Sequence, residues 1–299
     1  MSKVTKAIFC VAGFGTRFLP ATKAQPKEML PLVDKPIIQY LVEEAVEAGI
    51  QDIIFVTGRG KSSIENHFDK SFELEYSLVE KGKHQLVEEV DRISKLANFA
   101  YVRQPVQKGD GHALLCAEPY VDLPEPVLVV FPDYYMPSSN NTFKRMIKAY
   151  EHYGETVIAT DFVTEQMVPQ YGAVMYEDVG MENTAKIAGF VEKPKPDQIP
   201  AGLVRDGYGL INNGYAIINH DVWDALKQAE STGGDGEIRV ADAFVKLLQS
   251  GSSIYAIKPI QAGYDCGNKI GFLKATVDLA LERDDLGEEF REFLRAKFN

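Results

Sequence analysis

The chain has 299 residues, long enough to bury a large core, and its 45% hydrophobic and 25% charged content is ordinary for a soluble globular protein. Its 32 basic and 43 acidic residues leave a net charge of −11 with no basic stripe, which argues against nucleic acid as a partner. No apolar run approaches the roughly 20 residues of a membrane span, so no membrane partner is expected.

Three widely spaced cysteines, Cys10, Cys116 and Cys266, match no zinc pattern and read as buried thiols of a reducing, cytoplasmic compartment. The stretch before Gly13 carries two lysines and only a short apolar run that leads into a glycine turn, so no signal peptide is expected. Repeats and low-complexity linkers are absent, and the expectation is a single domain over residues 1–299.

The apolar run Ala7–Ala12 predicts a buried first strand. Gly13, Gly15, Thr16 and Arg17 follow it. Glycines let backbone N–H groups approach an anion, and arginine adds a fork of donors suited to phosphate. Lys23 and Lys27 lie among Pro20, Pro26, Pro31 and Pro36, a density that predicts a stiff extended loop able to hold Lys27 over the same anion. This stretch reads as a cradle for a nucleoside triphosphate or a phosphosugar on the first strand–turn of an α/β domain. It lacks the G-x-x-x-x-G-K-[ST] loop, and Phe18 breaks the G-x-G-x-x-G pattern of dinucleotide-binding dehydrogenases.

Helical spacing predicts a helix over Ile37–Gly49, and Ile53–Thr57 reads as the second strand. Gly58-Arg59-Gly60-Lys61 then reads as a solvated loop before a helix start at Ser62–Phe68. Phe72–Leu96 predicts a helical hairpin or one long helix with a break near Gly82. The short strand Ala100–Arg103 leads into Gln104 and a loop with Gly109 and Gly111, where an amide can pair with a base edge through donor and acceptor together. Val127–Phe131 is the strongest buried-strand signal. Asp133 stands at its carboxyl end, where α/β sheets bind ligands. Further strands are predicted at Thr156–Phe162, Ile187–Val191 and Ser253–Lys258. Further helices are predicted at Phe143–Tyr150, Asp221–Gln228, Glu237–Leu248, Ile270–Leu281 and Leu286–Phe298.

Gly13-Phe-Gly-Thr-Arg17, Pro26-Lys-Glu-Met-Leu30, Val33-Asp-Lys-Pro36, Glu192-Lys193-Pro194 and Asp265-Cys-Gly-Asn268 together resemble the sugar-phosphate nucleotidylyltransferases, and within them the uridylyltransferases acting on glucose 1-phosphate. The resemblance covers nearly the whole chain. It implies a Rossmann-like, mixed, mainly parallel central sheet flanked by helices. It also implies homodimers or homotetramers, with the C-terminal helices of about 270–298 as the contact. The implied reaction joins UTP and glucose 1-phosphate to give UDP-glucose and pyrophosphate. Its nucleophile, the sugar phosphate, is already an anion at neutral pH and needs no general base.

On this resemblance Arg17 and the amides around Gly15 and Thr16 hold the β- and γ-phosphates, and Lys27 bridges toward the α-phosphate. Ala12, Gly13, Glu28, Gln104 and Gly109 frame the nucleoside. Gly172 backs the sugar, Glu192 bonds its hydroxyls and Lys193 holds its phosphate. Asp133 and Asp265 hold Mg²⁺. The family usually has leucine where this chain has Asp110; a carboxylate beside a triphosphate is unfavourable, so Asp110 is expected to face water. His112 reads as a helix-start histidine bonded to backbone. Residues 197–214 are longer than the common pattern and border the sugar side. Glu237 opens its predicted helix, where a carboxylate suits the dipole. A thymidylyltransferase, a uridylyltransferase for another hexose 1-phosphate, and a non-catalytic nucleotide-sugar-binding module are the alternatives; rates with UTP against dTTP, and pyrophosphate release, separate them.

Overall fold

The structure is a computed structural model that describes residues 3–137, 141–232 and 236–298. A ten-stranded sheet runs in the spatial order Asn98–Arg103, Asp52–Thr57, Lys6–Cys10, Val127–Val130, Tyr208–Ile218, Thr156–Thr164, Ile254–Ile257, Thr184–Glu192 and Gly172–Asp178. Val204–Arg205 pairs onto Tyr208–Ile218 off this path. The first four strands are mutually parallel. Val127–Val130 is buried along its whole length, as a parallel strand covered on both faces must be. At its other edge the pairing turns antiparallel, from Tyr215 opposite Val130 to Ile218 opposite Val127. Beyond that ladder the sheet is mixed, with Ile254–Ile257 parallel to Thr156–Thr164.

Alternation along the strands splits the core into two layers. Ala7 and Phe9 face one layer, with Leu41 of helix Ile37–Glu47 and Phe143 of helix Thr142–Tyr153. Ile8 and Cys10 face the other, with Leu114 of Asp110–Ala117, Trp223 of His220–Thr232 and Phe244 of Val240–Gln249. The result is the mixed α/β sheet with helices on both faces that the resemblance implied, but it is not mainly parallel: beyond Val127–Val130 all pairings but one are antiparallel. Lys6–Cys10 has the sheet's next strand along the chain, Asp52–Thr57, on one side and Val127–Val130 on the other. That reversal of winding opens a crevice at the carboxyl ends of these strands.

Local departures from the sequence reading have local causes. The proline-rich stretch after the first strand is three short 3₁₀ turns, Thr16–Phe18, Ala21–Lys23 and Lys27–Met29. Pro20 and Pro26 immediately precede the second and third, where a fixed φ sets a turn as readily as it extends a loop. Phe72–Leu96 is a pair of helices, Phe72–Glu80 and His84–Ser94, broken at Gly82 with φ +66°. Within 197–214, Asp206 and Gly207, both at positive φ, turn the hairpin that feeds the long strand Tyr208–Ile218. Cys10 and Cys266 are buried and Cys116 is half-buried, without a disulfide. Among the described residues no helix is long and apolar enough to cross a membrane.

Candidate active site

The first loop leaves the sheet at Gly13 and turns at Gly15, whose φ of +65° and crowded surroundings admit no side chain: a Cβ there would lie 3.1 Å from Lys27 Cβ. The Thr22 hydroxyl donates to the Gly15 carbonyl at 2.7 Å and holds the turn. The loop brings Gly15, Thr16, Arg17 and Lys27 around a hollow of about 220 Å³ that Asp133 and Gly267 close from the opposite side. Lys27 Nζ donates to Asp133 Oδ2 at 2.7 Å. Enclosure pulls the Lys27 pKa down, but the Asp133 and Glu28 carboxylates outweigh it and raise it above the ordinary lysine value, so the ammonium stays charged.

A second cavity, of about 320 Å³, contains Ala12, Gly13, Glu28, Gln104 and Gly109. All five residues assigned to the nucleoside line it together. Gln104 Nε2 donates to the Gly109 carbonyl at 3.0 Å and lies 3.0 Å from His112 Nδ1, which leaves Oε1 as the amide's open group. His112 therefore meets a side chain, the Gln104 amide, and not only the backbone expected of it. Gly109 has φ +98°, and a Cβ on it would stand 2.3 Å from the Ile238 carbonyl oxygen. Glu28 is fully buried; Lys61 Nζ donates to its Oε2 at 2.8 Å, and Oε1 has no partner. Lys61 is thus a buried counterion and not a member of a solvated loop. Burial lowers its pKa against the pull of Glu28.

A third cavity, of about 590 Å³, is lined by Gly172, Glu192, Lys193, Asn212 and Asn213 and by Arg17, Asp133 and Asp265. Gly172 and Glu192 are cross-strand partners, and a Cβ on Gly172 would lie 2.6 Å from Glu192 Oε2. Lys193 sits exposed on the rim with φ +44°, its N–H donating to the Tyr171 carbonyl at 3.0 Å, and its ammonium is 3.2 Å from Glu192 Oε1. A left-handed lysine is a strained backbone that its surroundings impose.

Asp133 and Asp265 meet at the join of these hollows. A two-residue ribbon pairs Asp265 with Tyr134 and Tyr264 with Tyr135. A Cβ built on Gly267 would stand 2.9 Å from Asp265 Oδ1, 3.2 Å from Asp133 Oδ2 and 3.4 Å from Arg17 Nη1. The two carboxylates therefore stand together around the Gly267 backbone, and carboxylate oxygens are donors that fit a hard divalent cation. Among the described residues no third acidic, histidine or cysteine ligand joins them, so phosphate and water oxygens would complete such a shell. Tyr171 donates to Asp265 Oδ2 at 2.8 Å and the Gly267 N–H to Oδ1 at 2.9 Å. Beneath them lies buried Asp161, whose Oδ2 accepts from the Tyr134 hydroxyl and from the Gly263 N–H, each at 2.6 Å.

Two expectations change here. Asp110 is exposed, as expected, but toward the site and not away from it: it lines both the nucleoside and the sugar cavity, and its Oδ1 accepts from the N–H groups of Gly111 at 2.7 Å and Val240 at 3.0 Å. Glu237 does not open the helix, which starts at Val240; Asp110, the first residue of the distant helix Asp110–Ala117, caps it instead, and Glu237 lines the nucleoside cavity. Tyr171, Asn212, Asn213, Gly267 and Asp161 were given no role in the sequence reading. Of these, only Asn212-Asn213-Gly214, after a strand-like run, carried a local sign of a turned, ligand-facing backbone.

Residues 6–282 match the nucleotidyl transferase family. The chain is 43% identical over 296 residues to UTP–glucose-1-phosphate uridylyltransferase 2 of Staphylococcus saprophyticus, covering 99% of this chain and 98% of the relative. Its fold is similar to a UTP-bound UGPase from Acinetobacter baumannii, with a TM-score of 0.85 at 36% identity over 97% of this chain and 98% of that one. It is also similar to a UDP-glucose pyrophosphorylase complexed with UDP-glucose, with a TM-score of 0.80 at 34% identity over 94% and 100% of the two chains. Likeness of this extent, running through the glycine turn, the crevice and both carboxylates, makes the chain a member of the nucleotidyl transferase family.

Proposed function

We propose that this protein is a uridylyltransferase that converts UTP and α-D-glucose 1-phosphate to UDP-glucose and diphosphate. The observation that carries the reading is the meeting of a nucleoside cavity and a sugar cavity at Asp133, with Arg17 and Lys27 beside the junction. In the reaction an oxygen of the sugar phosphate forms a bond to the α-phosphorus of UTP. The bond from that phosphorus to the bridging oxygen of the β-phosphate breaks, and diphosphate leaves. The attacking oxygen is already anionic, so the protein's task is to hold two polyanions in line and to spread the developing charge.

Arg17 and the amides of Gly15 and Thr16 take the β- and γ-phosphates. Lys27 turns from Asp133 to the α-phosphate. Lys193, on the rim, takes the phosphate of glucose 1-phosphate, while Glu192 accepts sugar hydroxyls and Gly172 leaves room for the ring. Gln104 Oε1 accepts the N3–H of the uracil; Ala12, Gly13, Glu28 and Gly109 form the rest of its pocket. Asp133 and Asp265 would hold Mg²⁺, which when bound neutralises phosphate charge and orients the phosphate oxygens.

The same reading takes the chain as one cytoplasmic domain. It makes the enzyme a homodimer or homotetramer through the helices of about 270–298, which expose Ile270, Leu273 and Phe293. The deciding experiment measures diphosphate release with UTP and Mg²⁺ across a panel of hexose 1-phosphates, with dTTP in parallel. Strongest turnover with UTP and glucose 1-phosphate is expected. Preference for another sugar or for dTTP would keep the chemistry and replace the substrate. No release with any pair would sink the reading.

A further inference from the structure

We infer that Asp110 is a specificity-determining residue that accepts a hydroxyl hydrogen bond from the ligand at the junction of the nucleoside and sugar cavities; the inference rests on the uridylyltransferase reading above. Three residues, Asp110, Phe131 and Asp133, line both cavities. A nucleotide sugar occupying both must pass along them. Asp133 stands on the cationic side with Lys27. Asp110 stands elsewhere, at the start of helix Asp110–Ala117, and its contacts divide its carboxylate in two.

Oδ1 is committed. The Gly111 and Val240 N–H groups both donate to it, which ties the nucleoside loop to the first turn of helix Val240–Gln249. Val240, Ala241 and Phe244 of that helix line the sugar cavity. Oδ2 meets no side-chain donor among the described residues, and Asp110 forms no ion pair among them. Asp110 is exposed to the cleft, whose walls, together with the Glu192 carboxylate, push its pKa up from the ordinary value, while the N–H groups of Val240, Gly111 and Asp110 itself oppose that shift. An acceptor-only carboxylate oxygen repels phosphate. What it can take from a nucleotide sugar is a neutral donor, and away from the base those donors are hydroxyls. Capping the helix uses Oδ1 alone, so the cap does not account for the second oxygen.

The hydroxyl can belong to the hexose or to the ribose, and one experiment separates them. Asp110→Asn keeps an acceptor at Oδ1 for the two N–H groups and replaces Oδ2 with an NH₂ donor. Steady-state kcat/KM is measured for both proteins with UTP and glucose 1-phosphate, with 2-deoxy- and 3-deoxyglucose 1-phosphate, and with dUTP. The variant is expected to lose about tenfold on the full substrates, the cost of replacing the acceptor for a ligand hydroxyl by a second donor. One deoxy analogue should lose about the same in the wild type and nothing further in the variant. If that analogue is a deoxyhexose phosphate, the partner is the sugar; if it is dUTP, the partner is the ribose. An equal loss on every substrate, or no loss on any, overturns the inference. Asp110→Ser, which also caps a helix, repeats the comparison if the Asn variant does not fold. Wild-type protein that releases no diphosphate with any hexose 1-phosphate defeats the underlying activity, an outcome visible before any variant is made.

Discussion

Lys27 and Asp133 form an ion pair of 2.7 Å between residues 106 positions apart, joining the glycine-turn loop to the end of the strand Val127–Val130. The pair keeps a cation and a carboxylate ready at one point, each masking the other until a polyphosphate arrives. Lys27→Met is expected to divide two readouts. Turnover should fall by about 10²–10³, the usual cost of losing one preorganised partner of developing charge. Binding of Mn²⁺ without nucleotide, followed by electron paramagnetic resonance, should tighten because Asp133 is released. Weaker Mn²⁺ binding in the variant would show that the two do not compete.

Asp161 acts at one remove from the same point. Its buried carboxylate holds the Tyr134 hydroxyl and the Gly263 N–H, one beside Asp133 and the other two residues before Asp265. Asp161→Ala should raise the Mg²⁺ concentration for half-maximal rate by about tenfold, the lower end of the cost of removing an outer-shell partner. Saturating Mg²⁺ should restore most of kcat. An unchanged Mg²⁺ requirement would reduce Asp161 to packing.

The pair Lys61–Glu28 is buried at both ends. Breaking it from one side strands a charge: Lys61→Met should destabilise the fold by about 3 kcal/mol in denaturant unfolding. Lys61→Met with Glu28→Gln removes both charges and should recover most of that. If the double variant is no more stable than the single one, the loss is packing and not electrostatics.

Glu44 gives the fold a pH dependence. It is buried at the start of helix Thr142–Tyr153, where the Thr142 N–H donates to its Oε1 at 2.6 Å. Burial raises its pKa to about 7, partly opposed by the Thr142 and Phe143 N–H groups. A carboxyl with a raised folded pKa favours the folded state when protonated. Its contribution is therefore lost as pH rises from about 4.5 toward and through about 7. The full shift corresponds to at most about 3 kcal/mol. Glu44→Gln should flatten this part of the profile and be more stable than the wild type at pH 8. Parallel unfolding curves of the two proteins at pH 6 and pH 8 check it; an identical slope in both would exclude Glu44 as the source.

What the sequence made legible was local. Each stretch that pairs a buried run with a special turn, such as Ala7–Arg17 or Val127–Asp133, carried its strand, its turn and its chemistry within a few residues. The glycine turn after the first strand pointed to an α/β domain; the arrangement of the sheet came from the family resemblance. What stayed hidden was contact between distant stretches. Nothing in Gly58-Arg-Gly-Lys61 distinguishes a counterion for Glu28 from a solvated lysine, because the partner is 33 residues away. Asp110 looked misplaced beside a phosphate because its partner, the Val240 N–H, lies 130 positions along the chain. Asp161 had no local sign of a role at the site, since the donors to its Oδ2, the Tyr134 hydroxyl and the Gly263 N–H, come from distant stretches.

The antiparallel ladder between Val127–Val130 and Tyr208–Ile218 is a seam in the molecule. Ala12, Gly13, Gln104 and Gly109 hang from the ends of strands on the parallel side, while Gly172, Glu192, Lys193, Asn212 and Asn213 belong to strands or turns on the other. On the proposed reading, the residues assigned to the base and most of those assigned to the sugar lie in separate stretches of the chain. A recombinant that exchanged residues 170–214 between relatives is then expected to change sugar preference and leave base preference, with Asp110, Val240, Ala241 and Phe244 the part of the sugar cavity that stays behind.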